Sequence, residues 1–176
     1  MKTDVRKEML SVRNALSKEQ IQTNSERICQ CLLPYLKGNV GLYYAYGSEV
    51  NLASLLQNKN VSFALPKTFP DHTIRFYQVD EHTSFSVGSY GIREPKDARE
   101  VEALDVLLIP LVAFDEQCNR LGHGAGYYDR YLEHFQGLKI GVAHECQKVE
   151  NVFEEAHDIP LDMIVSEHKI YKNMNF

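Results

Sequence analysis

Three alternating glycines lie in a segment whose residue types could bind a phosphate group. Gly122, Gly124 and Gly126 precede a predicted helix, and Arg120 stands shortly before the first of them. Because glycine lacks a Cβ atom, successive backbone N–H groups can converge on an anion, and positive φ angles are allowed. The start of the helix adds partial positive charge, and the guanidinium adds a full charge with two parallel donors. The segment therefore predicts a phosphate-binding loop.

The residues around this loop refine the prediction. Asp129 falls in the first turn of the predicted helix, where a carboxylate could hold a magnesium ion that bridges phosphate oxygens. The loop has neither the Gly-Lys-Ser/Thr of a Walker loop nor the G-x-G-x-x-G spacing of a dinucleotide site. A purely structural tight turn is the alternative, and Arg120 and Asp129 make it the less favoured one. We expect His123 to face solvent rather than to act in catalysis.

The predicted N-terminal helix carries a second group of cations. Its apolar stripe consists of Val5, Met9, Val12 and Leu16. Lys2, Arg6 and Arg13 cluster within about 40° of one another beside that stripe. Charges at this border lie where the helix meets the rest of the domain, so they could close over a phosphate tail. A solvated charged face is the alternative interpretation.

The elements that must position these residues form an α/β pattern. Ser17 and Gln20 form a capping box that predicts the start of a second helix. Apolar β-type runs occur at 40–44, 61–65, 74–79, 106–110, 139–143 and 163–165, with helical patterns at 52–58 and 128–135. Near-continuous apolar strands alternating with helices indicate a three-layer α/β fold, with a mostly parallel sheet covered on both faces. Ligands in such folds bind beyond the carboxyl ends of the strands.

Composition narrows the function classes. The 176 residues carry 19 basic and 24 acidic side chains, a net charge of −5, which argues against a general nucleic-acid binder. No apolar signal segment opens the chain, and the longest apolar run, 106–114, is too short to cross a membrane. The four cysteines lack C-x-x-C spacing and are expected as reduced thiols. We therefore expect one cytoplasmic domain over residues 1–176, acting as a monomer with no membrane or nucleic-acid partner.

The glycine segment with its flanks resembles the signature of the 5-formyltetrahydrofolate cyclo-ligases, also called methenyltetrahydrofolate synthetases. That signature reads Phe-Asp-x-x-Gly-x-Arg-Leu-Gly-x-Gly-x-Gly-Tyr-Tyr-Asp, and Phe114-Asp115 with residues 120–129 match it. Three further segments carry the resemblance: the basic opening from Lys2 to Arg6, residues 46–50 after the first strand, and the closing residues 157–162. The resemblance extends over nearly the whole chain.

The resemblance implies a Rossmann-like topology and an ATP- and magnesium-dependent ring closure. The implied ATP-binding residues are Lys2, Arg6, Arg120, Leu121, Gly122, His123, Gly124, Ala125, Gly126, Tyr127 and Tyr128. The implied folate-binding residues are Tyr44, Glu49, His123, Gly124, Ala125, Gly126 and Tyr127. Asp129 and Asp158 would hold Mg²⁺, and Arg120 and Tyr127 would be the catalytic residues.

The implied chemistry begins at the formyl oxygen of the folate, which attacks the terminal phosphate of ATP. The side-arm nitrogen then attacks the formyl carbon, and phosphate leaves as the methenyl bridge closes. Three residues depart from the family pattern: Cys118 replaces a usual glycine, Ala125 a glycine or lysine, and Phe153 a common proline. We expect Cys118 to be structural, because no base motif accompanies it.

Two other function classes stay open on sequence grounds. One is a different phosphate-handling α/β enzyme, such as a sugar-phosphate isomerase or a coenzyme A transferase. The other is a non-catalytic module that binds folate or nucleotide. An isomerase would not consume ATP, and a binding module would not release ADP.

Overall fold

A central sheet of seven strands organises the structure, a computed structural model that describes residues 1–88 and 91–176. In chain order the strands are β1 (Asn39–Gly41), β2 (Ser62–Thr68), β3 (Ile74–Val79), β4 (Ser84–Val87), β5 (Arg93–Lys96), β6 (Val106–Pro110), β7 (Ala113–Phe114), β8 (Arg120–Leu121), β9 (Leu138–Val142), β10 (Met163–Val165) and β11 (Ile170–Lys172). The central sheet has the order β11-β10-β9-β6-β1-β2-β3. Strands β4 and β5, and likewise β7 and β8, form two small antiparallel sheets.

Both faces of the central sheet are buried, because its inner strands are apolar at successive positions. In β6, Val106 and Leu108 pack into one core, while Leu107 and Ile109 pack into the other. The inner pairs are parallel, and the outer pairs β2–β3 and β10–β11 are antiparallel. The prediction of a three-layer α/β fold with a mostly parallel sheet is confirmed.

The described residues form three α-helices: α1 (Lys2–Asn14), α2 (Lys18–Leu32) and α3 (Tyr127–Leu132). Helices α2 and α3 cover the central sheet, while Met9 of α1 packs against β7 and β8. The capping box at the start of α2 is confirmed, because Ser17 and Gln20 each accept a hydrogen bond from the other's backbone N–H. Ile28 and Leu32 of α2 pack on one face of the sheet, and Leu132 of α3 packs on the other. Within the described ranges, no helix combines the length and apolar character that a membrane span requires.

The strand order places a topological switch point between β1 and β6. From β1 the chain proceeds to β2 and β3 on one side, and it then returns to β6 on the other side of β1. The carboxyl ends of β1 and β6 lead into the segments that carry the sequence-predicted site residues. A crevice at such a point is where open parallel sheets bind ligands. The fold therefore brings the two loops of interest to one edge of the sheet.

Several predicted elements differ in type or length. The helix predicted over 52–58 is a short 3₁₀ helix (Ala53–Gln57) held by i+3 hydrogen bonds such as Asn58 N–H to the Leu55 carbonyl. Strand β1 ends at Gly41 instead of residue 44, although the Leu42 N–H still donates to the Ala64 carbonyl of β2. The helix predicted over 128–135 ends at Leu132, and turn hydrogen bonds replace helical ones beyond it.

The inward face of α1 also differs from its predicted stripe. Met9 is buried as expected, but Val12 is exposed and Arg13 is buried in its place. The cause is a polar partner, since Arg13 Nε donates a hydrogen bond to Ser48 Oγ at 2.9 Å. A long side chain with a satisfied donor can replace an apolar one at such a position.

Candidate active site

The glycine loop, residues 122–126, joins β8 to α3 and presents unpaired backbone donors. Gly124 and Gly126 have φ angles of +100° and +81°, which favour glycine. Within residues 1–88 and 91–176, none of the backbone N–H groups of residues 122–129 has a hydrogen-bond acceptor. Because α3 has only six residues, the donors come mainly from the loop and the first helical turn, not from a long helix dipole.

Two arginines lie against this loop. Arg6 of α1 donates from Nε to the Gly122 carbonyl at 2.8 Å, and its Cζ lies 3.4 Å from where a Cβ on Gly124 would stand. Arg120 Nη1 lies 2.8 Å from the corresponding Cβ position of Gly122. A Cβ on Gly122 would collide with the Arg120 guanidinium, whereas a Cβ on Gly124 would make an ordinary van der Waals contact with that of Arg6. The absent Cβ of Gly122 therefore allows Arg120 to approach the loop closely.

Arg120 is almost completely enclosed and only partly satisfied. Its side chain is 5% exposed, and its Nη2 donates to Asp129 Oδ1 at 2.6 Å. Its Nε is buried without an acceptor among the described residues. A buried donor without an acceptor costs free energy, so such a group marks a place where a ligand oxygen would be favourable.

A second ion pair closes the other end of the cation group. Lys2 Nζ lies 2.6 Å from Asp158 Oδ2 and 3.2 Å from Glu155 Oε1. Burial raises the pKa of Asp158, but the hydrogen bond from Lys2 and other contacts outweigh it, so the pKa of this carboxyl is lowered. The charges of Asp129 and Asp158 both act on Arg120. The structure thus brings these four predicted residues into one electrostatic group.

Opposite this group, the β1 loop, residues 42–50, carries a buried carboxylate. Glu49 is 8% exposed, and burial raises its pKa to about 7, while Arg13 and a hydrogen bond with the Tyr46 backbone act in the opposite direction. Tyr43 and Tyr128 lie within electrostatic range, since the Glu49 charge raises the pKa of each. An acid with this pKa can exchange a proton near neutral pH.

Aromatic residues lie at the end of the glycine loop. Tyr127 of α3 packs against His72, with 5.5 Å between ring centroids, and the Arg120 guanidinium lies 6.0 Å from the Tyr128 ring. His123 is exposed, as predicted, and the pKa of its imidazole is lowered by the surrounding protein and by nearby arginines. Tyr127 therefore lies beside the glycine loop, where the sequence-based interpretation puts the boundary between two ligands.

An exposed aromatic rim lies on the β1-loop side. Tyr44, which is 40% exposed, packs against Phe85 of β4 with 6.3 Å between ring centroids. The Arg93 guanidinium of β5 lies 5.7 Å from the Tyr44 ring. This small sheet is fixed to β2 by Glu94, whose carboxylate accepts hydrogen bonds from the backbone and hydroxyl of Thr68. The rim offers planar apolar surface with one cation beside it.

Comparison with known proteins identifies the family of this chain. The model of the 5-formyltetrahydrofolate cyclo-ligase family matches residues 1–167. The chain belongs to this family. The Haemophilus influenzae 5-formyltetrahydrofolate cyclo-ligase is 33% identical over 178 residues, with 92% of this chain and 95% of that protein covered. The Escherichia coli K12 protein of the same name is 32% identical over 176 residues, covering 91% and 97%.

Solved structures agree with the family assignment. The NMR structure of the Aquifex aeolicus 5,10-methenyltetrahydrofolate synthetase has a TM-score of 0.88 and 36% identity, covering 98% of this chain and 93% of that one. The Mycoplasma pneumoniae 5,10-methenyltetrahydrofolate synthetase has a TM-score of 0.77 and 29% identity, covering 94% and 98%. The sequence-based identification of an ATP-dependent cyclo-ligase of this family is confirmed.

The departures from the family pattern have distinct structural consequences in this cyclo-ligase. Cys118 has a φ of +64°, so the usual glycine conformation is retained with a buried cysteine in it. Burial raises the pKa of this thiol to about 11, which keeps it un-ionised and fits a structural role. Phe153 has a φ of +59°, which a proline ring cannot adopt, so the backbone here differs from a proline-containing one.

A magnesium ion would find carboxylates but no complete protein cage in this cyclo-ligase. Among the described residues, no group of three or more His, Cys, Asp or Glu side chains could hold a metal. Asp129 and Asp158 each bind a cation instead. Mg²⁺ at nucleotide sites is usually bound through one or two carboxylates plus substrate phosphates. Two carboxylates bordering a phosphate loop therefore fit a metal that arrives with the nucleotide.

Sequence reasoning missed several residues of the site. Arg13 was grouped with the phosphate cations, yet it lies beneath the β1 loop. Phe85 and Arg93 belong to strands that were not predicted, because their short polar sequences lack a clear period. His144 and His72 carry no local motif and reach the site only through the fold.

Proposed function

We propose that this chain converts 5-formyltetrahydrofolate and ATP into 5,10-methenyltetrahydrofolate, ADP and phosphate at the crevice between the glycine loop and the β1 loop. One observation carries the proposal: the N–H groups of residues 122–129 lack acceptors beside the buried, partly unsatisfied guanidinium of Arg120. Such a concentration of donors suits a multiply charged phosphate chain. The names of the relatives supply the identity of the second substrate.

The chemistry requires activation of a poor leaving oxygen. The formyl group on the folate ring is an amide, whose oxygen cannot leave as hydroxide. Its oxygen attacks the terminal phosphorus of ATP, the bond to ADP breaks, and the formyl oxygen now carries the phosphoryl group. The neighbouring side-arm nitrogen attacks the formyl carbon, and its proton passes to the phosphate that will depart. Phosphate then departs with the original formyl oxygen, and the ring closes.

The cations provide what phosphoryl transfer needs, which is mainly positioning and electrostatic stabilisation. Arg120 is held rigidly by enclosure and by Asp129, so its charge is already in place before the nucleotide arrives. Arg6 packs against Gly124 and fixes the loop through the Gly122 carbonyl. Lys2 adds a third charge at the edge of the group. None of these steps requires a dedicated general base from the protein.

On the other side, Glu49 and Tyr44 would receive the folate. A carboxylate buried beneath a loop can accept hydrogen bonds from the N–H donors of a pterin ring. Tyr44 would contribute a planar surface, and Tyr127 would separate the folate from the phosphate chain. Asp129 and Asp158 would hold Mg²⁺, which when bound neutralises part of the triphosphate charge.

The activity is tested directly with purified protein, ATP, magnesium and 5-formyltetrahydrofolate at neutral pH. We expect the methenyl chromophore to form with one ADP released per product, and neither to form when ATP or protein is omitted. Arg6→Met should raise the KM for ATP, while Lys7→Met, an exposed cation on the same helix, should leave it unchanged. Product formed equally fast without ATP would refute the proposal.

The alternative functions predict different results in this assay. A folate- or nucleotide-binding module would bind both ligands but release no ADP. A sugar-phosphate isomerase would leave ATP intact and form no chromophore. The ion pairs of the site, with two carboxylates beside the cations, favour the catalytic proposal, because a binder has little use for carboxylates at a phosphate site.

The same proposal includes the setting in which the enzyme works. We place it in the cytoplasm as a single-domain monomer with ATP and reduced folate as its partners. Support comes from its free cysteines, two of them buried, and from its negative net charge. Light scattering of the purified protein, with and without ligands, measures the oligomeric state, and a stable dimer would correct this part.

A further inference from the structure

Arg13 is a buried cation that the reaction described above does not use. It is 4% exposed, and its Nε donates to Ser48 Oγ at 2.9 Å. Its two terminal nitrogens have no hydrogen-bond acceptor within residues 1–88 and 91–176. These nitrogens are not fully shut off from solvent, but burial of the residue still lowers the pKa of the guanidinium, so its charge needs a compensating partner.

The charge of Arg13 acts on the β1 loop as well as on His123 of the glycine loop, whose pKa it helps to lower. It acts on Glu49, where it opposes the effect of burial on the carboxyl pKa. In return, the Glu49 charge is the largest of the effects that keep Arg13 protonated against its own burial. The two groups are nevertheless not in salt-bridge contact within the described part of the chain. Arg13 therefore acts on Glu49 electrostatically, while its hydrogen bond is made to Ser48, the residue before Glu49.

A second element holds the same point of the loop from the other side. His144, which follows β9, donates from Nε2 to the Ser48 carbonyl at 3.0 Å, and its Nδ1 accepts from Asn24 Nδ2 of α2 at 3.1 Å. Burial lowers the pKa of His144, in keeping with a neutral ring that has one donor and one acceptor. Ser48 is thus held through its hydroxyl by α1 and through its carbonyl by His144.

We infer that Arg13 is the positioning residue for Glu49: its guanidinium fixes the β1 loop through Ser48 and supplies the positive charge that faces the Glu49 carboxylate. This inference rests on the proposed function, because it assumes that Glu49 receives the folate as a carboxylate. Without the charge of Arg13, burial would favour protonated Glu49 still more. A protonated Glu49 would lose acceptor capacity toward the pterin ring.

A double-mutant cycle tests whether Arg13 acts through Glu49. We expect Arg13→Met to raise the KM for 5-formyltetrahydrofolate about tenfold and to leave the KM for ATP within about twofold. In a Glu49→Gln background the same substitution should add less than about twofold, because the group through which it acts is gone. Equal effects in both backgrounds, or a matching rise in the KM for ATP, would overturn the inference.

A direct titration separates this inference from the proposed activity. The ¹³Cδ signal of Glu49, followed by NMR, should titrate at a higher pH in Arg13→Met than in the unmodified protein, by about one unit. In Arg13→Lys the midpoint of Glu49 should return most of the way to that of the unmodified protein, because lysine keeps the charge. The other groups that face Glu49 are Tyr43 after β1 and Tyr128 of α3, and both are neutral in this range. An unchanged midpoint in Arg13→Met would refute the inference even in a fully active enzyme.

Two further variants guard against misfolding. Ser48→Ala removes the acceptor of Arg13 Nε but leaves the charge, so it should raise the folate KM modestly without moving the Glu49 midpoint. Lys7→Met removes an exposed cation of α1 and should change neither quantity. If Arg13→Met does not fold by circular dichroism, Arg13→Gln takes its place in both measurements. If no methenyl product forms with the unmodified protein, the proposed function fails, while the titration still decides the role of Arg13.

Discussion

On the glycine-loop side, Arg120 and Lys2 each have a carboxylate within 2.6 Å, whereas Glu49 on the β1-loop side has no cation within salt-bridge distance among the described residues. The two regions are close to each other, since Glu49 acts on Tyr128 and Arg13 acts on His123, yet their charges are satisfied to different degrees. The first is a balanced group of ion pairs combined with unused backbone donors. The second is a single buried carboxylate with a pKa of about 7, tempered by a nearby guanidinium.

This difference corresponds to what each region would bind. A triphosphate brings several negative charges and a metal ion, so it can replace the carboxylates that hold the cations before it arrives. A folate ring is neutral near its pterin end, so a carboxylate there keeps its charge and gains hydrogen bonds. On the phosphate side, the cations would therefore exchange their carboxylate partners for phosphate oxygens. On the folate side, the carboxylate would gain hydrogen bonds that it lacks in the free protein.

Removal of Arg120 should have the largest effect on the phosphate side. We expect Arg120→Ala to lower turnover by about 100-fold or more, because a fixed charge aimed at a transferring group contributes roughly 3–4 kcal/mol to the barrier. Arg120→Lys should fall in between, since it keeps the charge but loses the planar fork. Steady-state turnover at saturating ATP and folate measures the effect.

Arg130 supplies the matched control for that substitution. It lies in α3, at the other end of the glycine loop from Arg120, is exposed, and among the described residues donates to the Asp71 carbonyl. Arg130→Ala should keep turnover near the unmodified value. If a folded Arg120→Ala protein also retained near-normal turnover, the phosphate side would have to be assigned to other residues.

Glu49→Gln tests the folate side by activity. It should lower kcat/KM for 5-formyltetrahydrofolate by about tenfold or more, because a hydrogen bond to a charged acceptor becomes a neutral one. In the unmodified enzyme kcat/KM for folate should fall as the pH drops below about 7, the pKa of Glu49. The glutamine variant should lack this acid limb, and retention of the limb would assign it to another group.

The same substitution should raise stability, with a defined pH dependence. The pKa of Glu49 rises from its usual 4.5 to about 7 on folding, so the folded state binds the proton more tightly than the unfolded state. The stability that Glu49 contributes is therefore complete below about pH 4.5 and is lost as the pH rises to about 7. At pH 8 we expect Glu49→Gln to be more stable by up to about 3 kcal/mol, and at pH 4 to differ little. Thermal unfolding at both pH values measures the difference.

The sequence was informative where chemistry and local structure coincide. The glycines, Arg120 and the strand before them are contiguous, so one segment predicted both the loop and its ligand. The apolar strands predicted the buried sheet for the same reason, since each is a contiguous apolar run in the sequence. The antiparallel edge strand β11 and the β4–β5 sheet were missed because short, partly polar strands look like loops until they find partners.

What the sequence could not provide was long-range pairing between polar residues. Helical periodicity placed Arg13 beside Lys2 and Arg6, but it could not show that Arg13 donates a hydrogen bond to Ser48, which is distant in the sequence. It could equally not show that the carboxylates of Asp129 and Asp158 are each held by a predicted phosphate cation. These contacts depend on the switch point between β1 and β6, which is a property of the whole topology.

Gly126→Ala should have a smaller effect confined to the phosphate side. A Cβ at this position meets nothing within 4 Å, but its φ of +81° strains any other residue by roughly 1–2 kcal/mol. We expect the KM for ATP to rise about tenfold as the loop relaxes and its donors lose alignment. Gly91→Ala is the matched control, with a φ of +71° and equally open space. It should lose similar stability without any change in the KM for ATP, and a rise in both would point to general softening of the fold.

Ser17→Ala should have the smallest effect and should touch neither region. Loss of the capping hydrogen bond to the Gln20 N–H should lower the free energy of unfolding by about 1 kcal/mol. Kinetic constants for both substrates should remain unchanged, and Ser11→Ala, an exposed position within α1, should lack even the stability effect. Because α2 also carries Asn24, which orients His144 beneath the β1 loop, the result has one further use. A rise in the folate KM alone would show that fraying at the start of α2 disturbs the position of Ser48. The folate side would then depend on distant packing, unlike the phosphate side, whose donors are mainly backbone N–H groups.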